Sequence, residues 1–354
     1  MERDAFIIGL DNPILITGAN GFIGVRVVEN LLARGFRHLR CFVRPSSALA
    51  KLEAIAVREN GRARIEILKG NLLRRENCLE AAKDVAVIFH LAAGVGEKSV
   101  PDAFMNSVVA TRNLLNASLQ YTCLRRFVNI SSFTVYSNRD KPKGRLLDES
   151  SPLEAHPEIV GDAYCYAKVR QDEIVEEYGK RHGIPYVIVR PGSVYGPGKQ
   201  QIPGRIGIDT FGLFLHLGGG NRIPFTYVDN CADAIVLAGL KPGVDGEVFN
   251  VVDDELPTSR KVLRLYKRNV KSFRSFYVPH AVSYLFCRLW EQYSTWSHGQ
   301  LPRVFSRRRW HAEVKRTRYT NEKLKAKLGW TPKVPMDEGL NRFFKSCRES
   351  GRDA

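Results

Sequence analysis

The 354-residue chain lacks any apolar run of the 18 or more residues that a membrane-spanning helix requires. Its first residues, Met1-Glu2-Arg3-Asp4, carry no apolar segment of the kind that directs secretion. It has seven cysteines, an odd number, scattered singly with no C-x-x-C pair. Its eight histidines form no H-E-x-x-H or comparable ligand spacing, which argues against a protein-bound metal. No internal repeat or low-complexity stretch is present. The expectation is a soluble, unprocessed cytoplasmic protein whose thiols stay reduced.

What the chain does contain is a regular alternation. Short β-branched runs at 13–17, 39–43, 64–68, 85–90, 127–131 and 186–190 are nearly continuous in apolar residues, as parallel strands buried on both faces should be. Helical stretches at 22–34, 104–119 and 164–182 lie between them. Such alternation predicts an α/β fold, a Rossmann-type doubly wound parallel sheet with right-handed crossovers. Beyond Pro191 the rhythm breaks into a Gly- and Pro-rich stretch, 192–224, and then resumes with helical character at 226–240 and a strand at 247–252. From Thr258 onward the reading is helical and basic. The predicted organisation is a dinucleotide domain over 1–192, to which 226–252 returns. A smaller, discontinuous C-terminal substrate lobe covers 193–225 and 253–345, with a tail at 346–354.

Directly after the first strand comes Gly18-Ala19-Asn20-Gly21-Phe22-Ile23-Gly24, three glycines in G-x-x-G-x-x-G spacing. The first permits a tight turn, the second lets backbone approach a pyrophosphate, and the third allows close helix–strand packing. The following helix points its positive end at the phosphates. Dinucleotide specificity is normally set at the end of the second strand, where an acid holds the ribose hydroxyls. Here the stretch is Phe42-Val43-Arg44-Pro45-Ser46-Ser47, without an acid. Arg44 suits a 2′-phosphate, so the cofactor reading is NAD(P)(H) with NADP favoured.

Tyr164 and Lys168 stand four residues apart at the start of a helical stretch, which places both on one face. A free tyrosine titrates near about 10. A neighbouring ammonium and a positive nicotinamide ring would favour its phenolate and fit it to exchange a proton with a hydroxyl. Asn129-Ile130-Ser131-Ser132 closes a predicted strand at the end where doubly wound sheets build their sites, and Ser132 can position the reacting oxygen.

These motifs together resemble the extended short-chain dehydrogenase/reductases, a family of nucleotide-sugar epimerases, dehydratases and reductases, 3β-hydroxysteroid dehydrogenases and dihydroflavonol reductases. Further matching signatures are His90-Leu91-Ala92-Ala93, Asn106 with Thr111-Arg112-Asn113-Leu114, Arg190-Pro191-Gly192-Ser193-Val194-Tyr195-Gly196, Phe225-Thr226-Tyr227-Val228-Asp229-Asn230 and Leu328-Gly329-Trp330. The resemblance implies a catalytic Ser132, Tyr164 and Lys168. It implies a cofactor site of Gly18, Asn20, Gly21, Phe22, Ile23, Gly24, Arg44, Leu72, Leu91, Ala92, Ala93, Asn106, Pro191 and Val194. Family members usually carry an aspartate where this chain has Asn71, whose amide can still bond an adenine edge. The resemblance also implies a homodimer through the helices at 104–119 and 164–182.

Within the family, sugar-nucleotide 4,6-dehydratases resemble Ser-Thr-Asp-Glu at the strand end where this chain has Ser131-Ser132-Phe133-Thr134, so dehydration is disfavoured. The favoured reading is an epimerase or reductase of a nucleotide sugar, with Ser132, Tyr195, Arg205 and Arg222, and also Arg260, on the substrate. The alternatives are an enzyme of the 3β-hydroxysteroid dehydrogenase type, acting on an apolar alcohol or ketone, and a non-catalytic cofactor-binding regulator.

Charge adds one more feature. Residues 260–354 hold 23 Lys and Arg against 7 Asp and Glu, nearly the whole of the chain's net +17. Within them, 279–296 sets Val282, Leu285, Phe286, Leu289, Trp290 and Tyr293 at helical spacing, and Arg307-Arg308-Arg309 follows. Two readings are open: a peripheral contact with an anionic membrane, or an apolar face packed on the substrate lobe. No nucleic-acid reader motif is present, so nucleic acid is not expected.

Overall fold

In the computed structural model, residues 6–94, 99–138, 144–157, 162–199, 205–210, 213–297 and 306–350 are described. Residues 1–5 and the end of the expected tail, 351–354, lie outside them. The centre is a seven-stranded sheet of β1 (Ile14–Thr17), β2 (His38–Val43), β3 (Arg64–Lys69), β4 (Val87–His90), β5 (Arg126–Ile130), β6 (Tyr186–Pro191) and β7 (Val248–Val251). Every pairing is parallel, and the order is β7-β6-β5-β4-β1-β2-β3. All six early strands form within one or two residues of their expected bounds, and the strand near 247–252 joins the sheet edge beside β6. The opposite edge, β3, alternates charge with apolar residues, and Glu66 ties Arg40 and Arg64 across it. Such an edge resists pairing with another chain.

The helices follow the crossovers: α1 (Gly24–Ala33), α2 (Ala50–Arg58), α3 (Arg75–Ala82), α4 (Ala110–Ser118), α5 (Ala163–His182) and α6 (Val228–Leu240). α2 and α3 were not marked by the sequence pattern. α4 is preceded without a break by a π-helical turn, Phe104–Val109. The expected helix at 226–240 divides differently: Phe225–Tyr227 is a short strand pairing with Ser193–Tyr195, and the helix begins only at Val228. α6 is apolar on nearly every side and almost wholly buried, as befits a helix enclosed between sheet and C-terminal segment.

The remainder comprises α7 (Ser259–Asn269), α8 (His280–Trp296), α9 (Arg307–Glu313), α10 (Glu322–Leu328) and α11 (Met336–Ser350). A small sheet of Gly207–Thr210, Leu213–Leu217 and Ser275–Val278 accompanies them. The expected tail from 346 is instead helical as far as Ser350. The basic C-terminal quarter returns to the main core: Leu324, Trp330, Leu340, Phe343 and Phe344 belong to the apolar cluster that also holds Ile14, Val28 and Phe89. Trp330 is fully buried, and its indole nitrogen donates to the Asn230 carbonyl at 3.3 Å. Among the described residues, no helix is long and apolar enough to cross a membrane, and no cluster of His, Cys, Asp and Glu could hold a metal ion.

Candidate active site

Strand order reverses between β1 and β4, and a crevice at the carboxyl ends of such strands is where doubly wound sheets bind ligands. The glycine turn sits there. Gly18 adopts a φ of +68°, and its N–H donates to the Phe42 carbonyl at 3.0 Å. A Cβ on Gly24 would lie 2.2 Å from the Gly18 carbonyl oxygen, so α1 can start this close to the turn only with glycine. The amino end of α1 has no side-chain cap and no acid in its first turn. Its positive dipole end suits a pyrophosphate, and the residues present fit a dinucleotide.

At the same switch point Thr17 pairs in register with His90, and the side chains bond: Thr17 Oγ1 to His90 Nδ1 at 2.9 Å. His90 Nε2 meets Thr111 Oγ1 at 2.8 Å, and Thr111 donates its own proton to the Ser107 carbonyl at 2.7 Å. The Thr111 hydroxyl can therefore only accept from the ring, which makes His90 the Nε2–H tautomer and leaves Nδ1 to accept from Thr17. Burial, with a contribution from Lys168, pushes the imidazole down to about 3, so it is neutral. Thr111 also accepts from Gln171 Nε2 at 2.7 Å, and Gln171 Oε1 accepts from Lys168 Nζ at 2.8 Å.

Lys168 further donates to the Ile130 carbonyl at 2.6 Å, at the end of β5. Burial lowers its ammonium to about 8, opposed by the Asp172 carboxylate one turn on. Asp172 is itself fixed, accepting from Asn129 Nδ2 at 2.9 Å, Ser131 Oγ at 2.8 Å and Arg190 Nη2 at 3.0 Å. Arg190 continues to the Tyr136 hydroxyl, which donates to Asn250 Oδ1 at 2.8 Å. A buried polar layer thus runs beneath the catalytic helix from β1 to β7.

Tyr164 stands on the first turn of α5, which Asp162 caps by accepting from the Cys165 N–H at 2.7 Å. The expectation of a lowered phenol pKa is corrected in the protein alone. Burial raises it, Asp162 and Asp172 add to the rise, and the Ser132 hydrogen bond opposes it. The Lys168 ammonium donates to Ile130 and Gln171. Ser132, Tyr164 and Lys168 are nevertheless brought to one place, at the carboxyl end of β5.

Of the remaining expected residues, Leu91 and Ala92 line the crevice, their N–H groups donating to the Thr17 carbonyl and hydroxyl at 3.2 Å each. Ala93 follows in the same loop, Pro191 ends β6, and Val194 is the middle residue of the next short strand. Phe22 and Ile23 lead into α1, half-buried, and Asn20 precedes them in the turn. Arg44 is exposed just past the end of β2. Asn106 is exposed on the π-helical turn. Asn71 accepts the Leu73 N–H on its side-chain oxygen at 3.0 Å, which leaves its amide nitrogen and a second lone pair for an adenine; Leu72 is buried and its carbonyl accepts from Asn113 at 3.0 Å.

The substrate assignments fare differently. Tyr195 is a core residue, 2% exposed and packed against Phe225, Tyr227 and Phe343, so it cannot touch a substrate. Arg205 holds the Ala312 carbonyl at 2.6 Å, and exposed Arg222 holds that of Leu256 at 3.1 Å. Arg260 lies over the Tyr277 ring. Sequence reading gave no role to His90, Thr111, Gln171 or Asp172; Gln171 and Asp172, three and four residues past Lys168, were on its helical face.

One further residue reaches the site from the basic triplet. Arg308 is buried, paired with Glu154 at 3.2 Å, and donates to the Thr134 carbonyl at 3.0 Å and to the Cys165 sulfur. It clamps the turn after Ser132 against the residue after Tyr164.

A trifunctional UDP-glucose 4,6-dehydratase/UDP-4-keto-6-deoxy-D-glucose 3,5-epimerase/UDP-4-keto-L-rhamnose-reductase of Arabidopsis thaliana is 27% identical over 74% of this chain and 41% of its own length. A 3beta-hydroxysteroid-dehydrogenase/decarboxylase of the same plant is 25% identical over 94% of this chain and 61% of its own. The chain therefore spans less than two thirds of either relative. The fold is similar to that of a UDP-glucuronic acid 4-epimerase from Bacillus cereus solved with UDP-glucuronic acid and NAD, with a TM-score of 0.72, 23% identity and coverage of 96% of this chain and 99% of that one. Residues 14–251, two thirds of the sequence, match the model of the NAD dependent epimerase/dehydratase family, and the chain belongs to that family.

Proposed function

We propose that the protein moves a hydride reversibly at one secondary alcohol or ketone carbon of a nucleotide sugar, as an epimerase or reductase. The observation that carries the hydride-transfer reading is the meeting of Ser132, Tyr164 and Lys168 at the end of β5, across the switch point from the uncapped start of α1. A bound dinucleotide supplies the hydride acceptor and donor. Tyr164 exchanges the proton of the reacting oxygen, and Ser132 holds that oxygen against the phenol. An ammonium has three donors; Lys168 uses two on Ile130 and Gln171, which leaves one for a ligand. Relatives named for UDP-sugars support the substrate class. No acid stands among Ser131–Thr134, and Glu154 beside that turn is neutralised by Arg308, which weighs against dehydration even though a relative is named for it.

Arg44, with no acid at its strand end, supports acceptance of a 2′-phosphate, while the solved neighbours are described with NAD. A second reading, oxidation of an apolar alcohol, draws on the steroid-dehydrogenase relative aligned over 94% of this chain. The test is to denature purified protein and quantify released nicotinamide nucleotide, then assay UDP-sugars and sterols. Retained cofactor with sugar interconversion upholds the proposal; an exchangeable cofactor with turnover of sterols alone replaces it with the second reading. Tyr164→Phe is expected to lower kcat by about 100-fold or more with cofactor affinity nearly unchanged. Unaltered turnover would remove Tyr164 from its role.

A further inference from the structure

α8 is inside out. Its inward side carries Ser283, Cys287 and Ser294, all buried, with the Ser283 hydroxyl accepting from the Trp310 indole of α9 at 2.8 Å. Its outward side carries Val282, Leu285, Phe286, Leu289, Tyr293 and Trp296, each between 46% and 74% exposed. The preceding strand adds Phe276 and Tyr277 at 60% and 48%. Of the two readings, packing of this apolar face on the substrate lobe is corrected: the side that packs is that of Ser283, Tyr284, Cys287 and Ser294, with Tyr284 against Trp310. A soluble helix normally turns the other way, and a contiguous exposed apolar face marks an interaction surface.

The charge around it identifies the occupant. Residues 258–297 contain eight Lys and Arg and a single acid, Glu291, which is already paired with Arg307 at 2.6 Å. Arg264, Arg268, Lys271 and Arg274 are exposed and have no carboxylate partner among the described residues. Beside the apolar face, His216, Arg260, Leu263, Arg264, Lys267 and Arg268 line a basin of about 430 Å³. Arg260, at 5.5 Å from the Tyr277 ring, stands where basin and apolar face meet.

We propose that α8 and this basin form a docking face for an anionic lipid membrane, with the apolar side chains in the acyl boundary and the cations on headgroup phosphates. An apolar stripe with aromatic residues and a flanking basic surface is the pattern of a helix lying in the interface rather than crossing it. A second copy of the chain fits less well. A two-fold contact through this face would set its unpaired cations against their own copies, whereas anionic lipid neutralises them. The proposal does not depend on the reaction assigned above. It does bear on it, because α8 rests on α9 through Trp310, and α9 carries Arg308 to the turn beside Ser132.

The test is co-sedimentation of the full chain with vesicles of phosphatidylcholine alone or mixed with phosphatidylglycerol. Binding is expected to the mixed vesicles only, and to weaken in about 0.5 M salt. The double substitution Leu285→Glu/Leu289→Glu, at positions already facing water, is expected to reduce partitioning about tenfold or more while thermal unfolding and turnover stay unchanged. Arg268→Glu/Lys271→Glu should reduce it in the same direction, and provides the test should the first variant misfold. Absence of wild-type binding to the mixed vesicles overturns the proposal, as does equal binding by a folded Leu285→Glu/Leu289→Glu variant. A wild-type dimer that this variant disperses, without any vesicle binding, would assign the face to a second copy instead.

Discussion

His90 shows how much of the site is decided by single protons. Its ring is held between two hydroxyls, and the Thr111 proton, committed to the Ser107 carbonyl, fixes the tautomer that Thr17 then reads. Because burial lowers its pKa to about 3, the folded protein binds one proton fewer than the unfolded chain wherever an exposed histidine, near 6.5, is charged. The contribution of this group to stability is therefore full above pH 6.5 and is lost as pH falls toward 3, by an amount on the order of 5 kcal/mol at the acid limit. Asp253 works in the opposite sense: burial raises it to about 7, so its contribution is full below about 4 and is lost as pH rises through 7. The two are separated by comparing proteins rather than by one curve. His90→Gln is expected to flatten the acid side of the unfolding free energy by about one proton between pH 6.5 and 4. Denaturant titrations at each pH check this, and an unchanged slope would mean that the ring is charged in the folded state. Its kcat should fall as well, since Thr111, Gln171 and Lys168 form one chain with the ring.

At the scale of elements, the strand–turn–helix start of the fold depends on one close approach. Gly24→Ala places a methyl 2.2 Å from the Gly18 carbonyl oxygen, a backbone atom that cannot turn aside. Either the turn opens or α1 withdraws, and both misplace the N–H groups meant for phosphate. Dinucleotide affinity is expected to fall by about tenfold or more, with a lower Tm, as read by fluorescence titration and thermal unfolding. An alanine variant that binds normally would show that the phosphates lie elsewhere. This turn was legible in the sequence because its chemistry is local: strand, three glycines and helix are contiguous. The same holds for Tyr164 and Lys168, one helical turn apart. The Thr17–His90–Thr111–Gln171 chain was not legible as a network, because its members come from two strands and two helices far apart in sequence. Tyr195 was misread for the reverse reason. It sits in a motif beside the cofactor crevice, yet Phe225, Tyr227 and Phe343, supplied from distant segments, enclose it.

Across the whole molecule, the basic C-terminal quarter proves to be two things at once. Periodicity alone identified the helix near 280–296 but could not say which side faced inward, because the partner surface is built by α9 and only the fold brings it near. Nor could composition separate Arg308 from Arg307, which remains half-exposed in its pair with Glu291. Arg308 is buried with Glu154, and its second nitrogen reaches Thr134, two residues beyond Ser132. An ion pair this enclosed costs desolvation when formed, yet loss of one partner leaves a charge without compensation, a penalty of about 3–5 kcal/mol. Arg308→Leu and Glu154→Leu are each expected to lower the unfolding free energy by an amount of that order, and the double variant by much less than their sum. Denaturant unfolding of the four proteins gives the coupling directly; additive losses would mean the pair acts only as separate packing groups. Arg308→Leu has a second expected effect that a merely structural pair would not produce. By releasing the Thr134 carbonyl it loosens the turn that aims Ser132 at Tyr164, so kcat should drop while cofactor affinity holds. Glu154→Leu, which leaves the Thr134 bond in place, should lower kcat less.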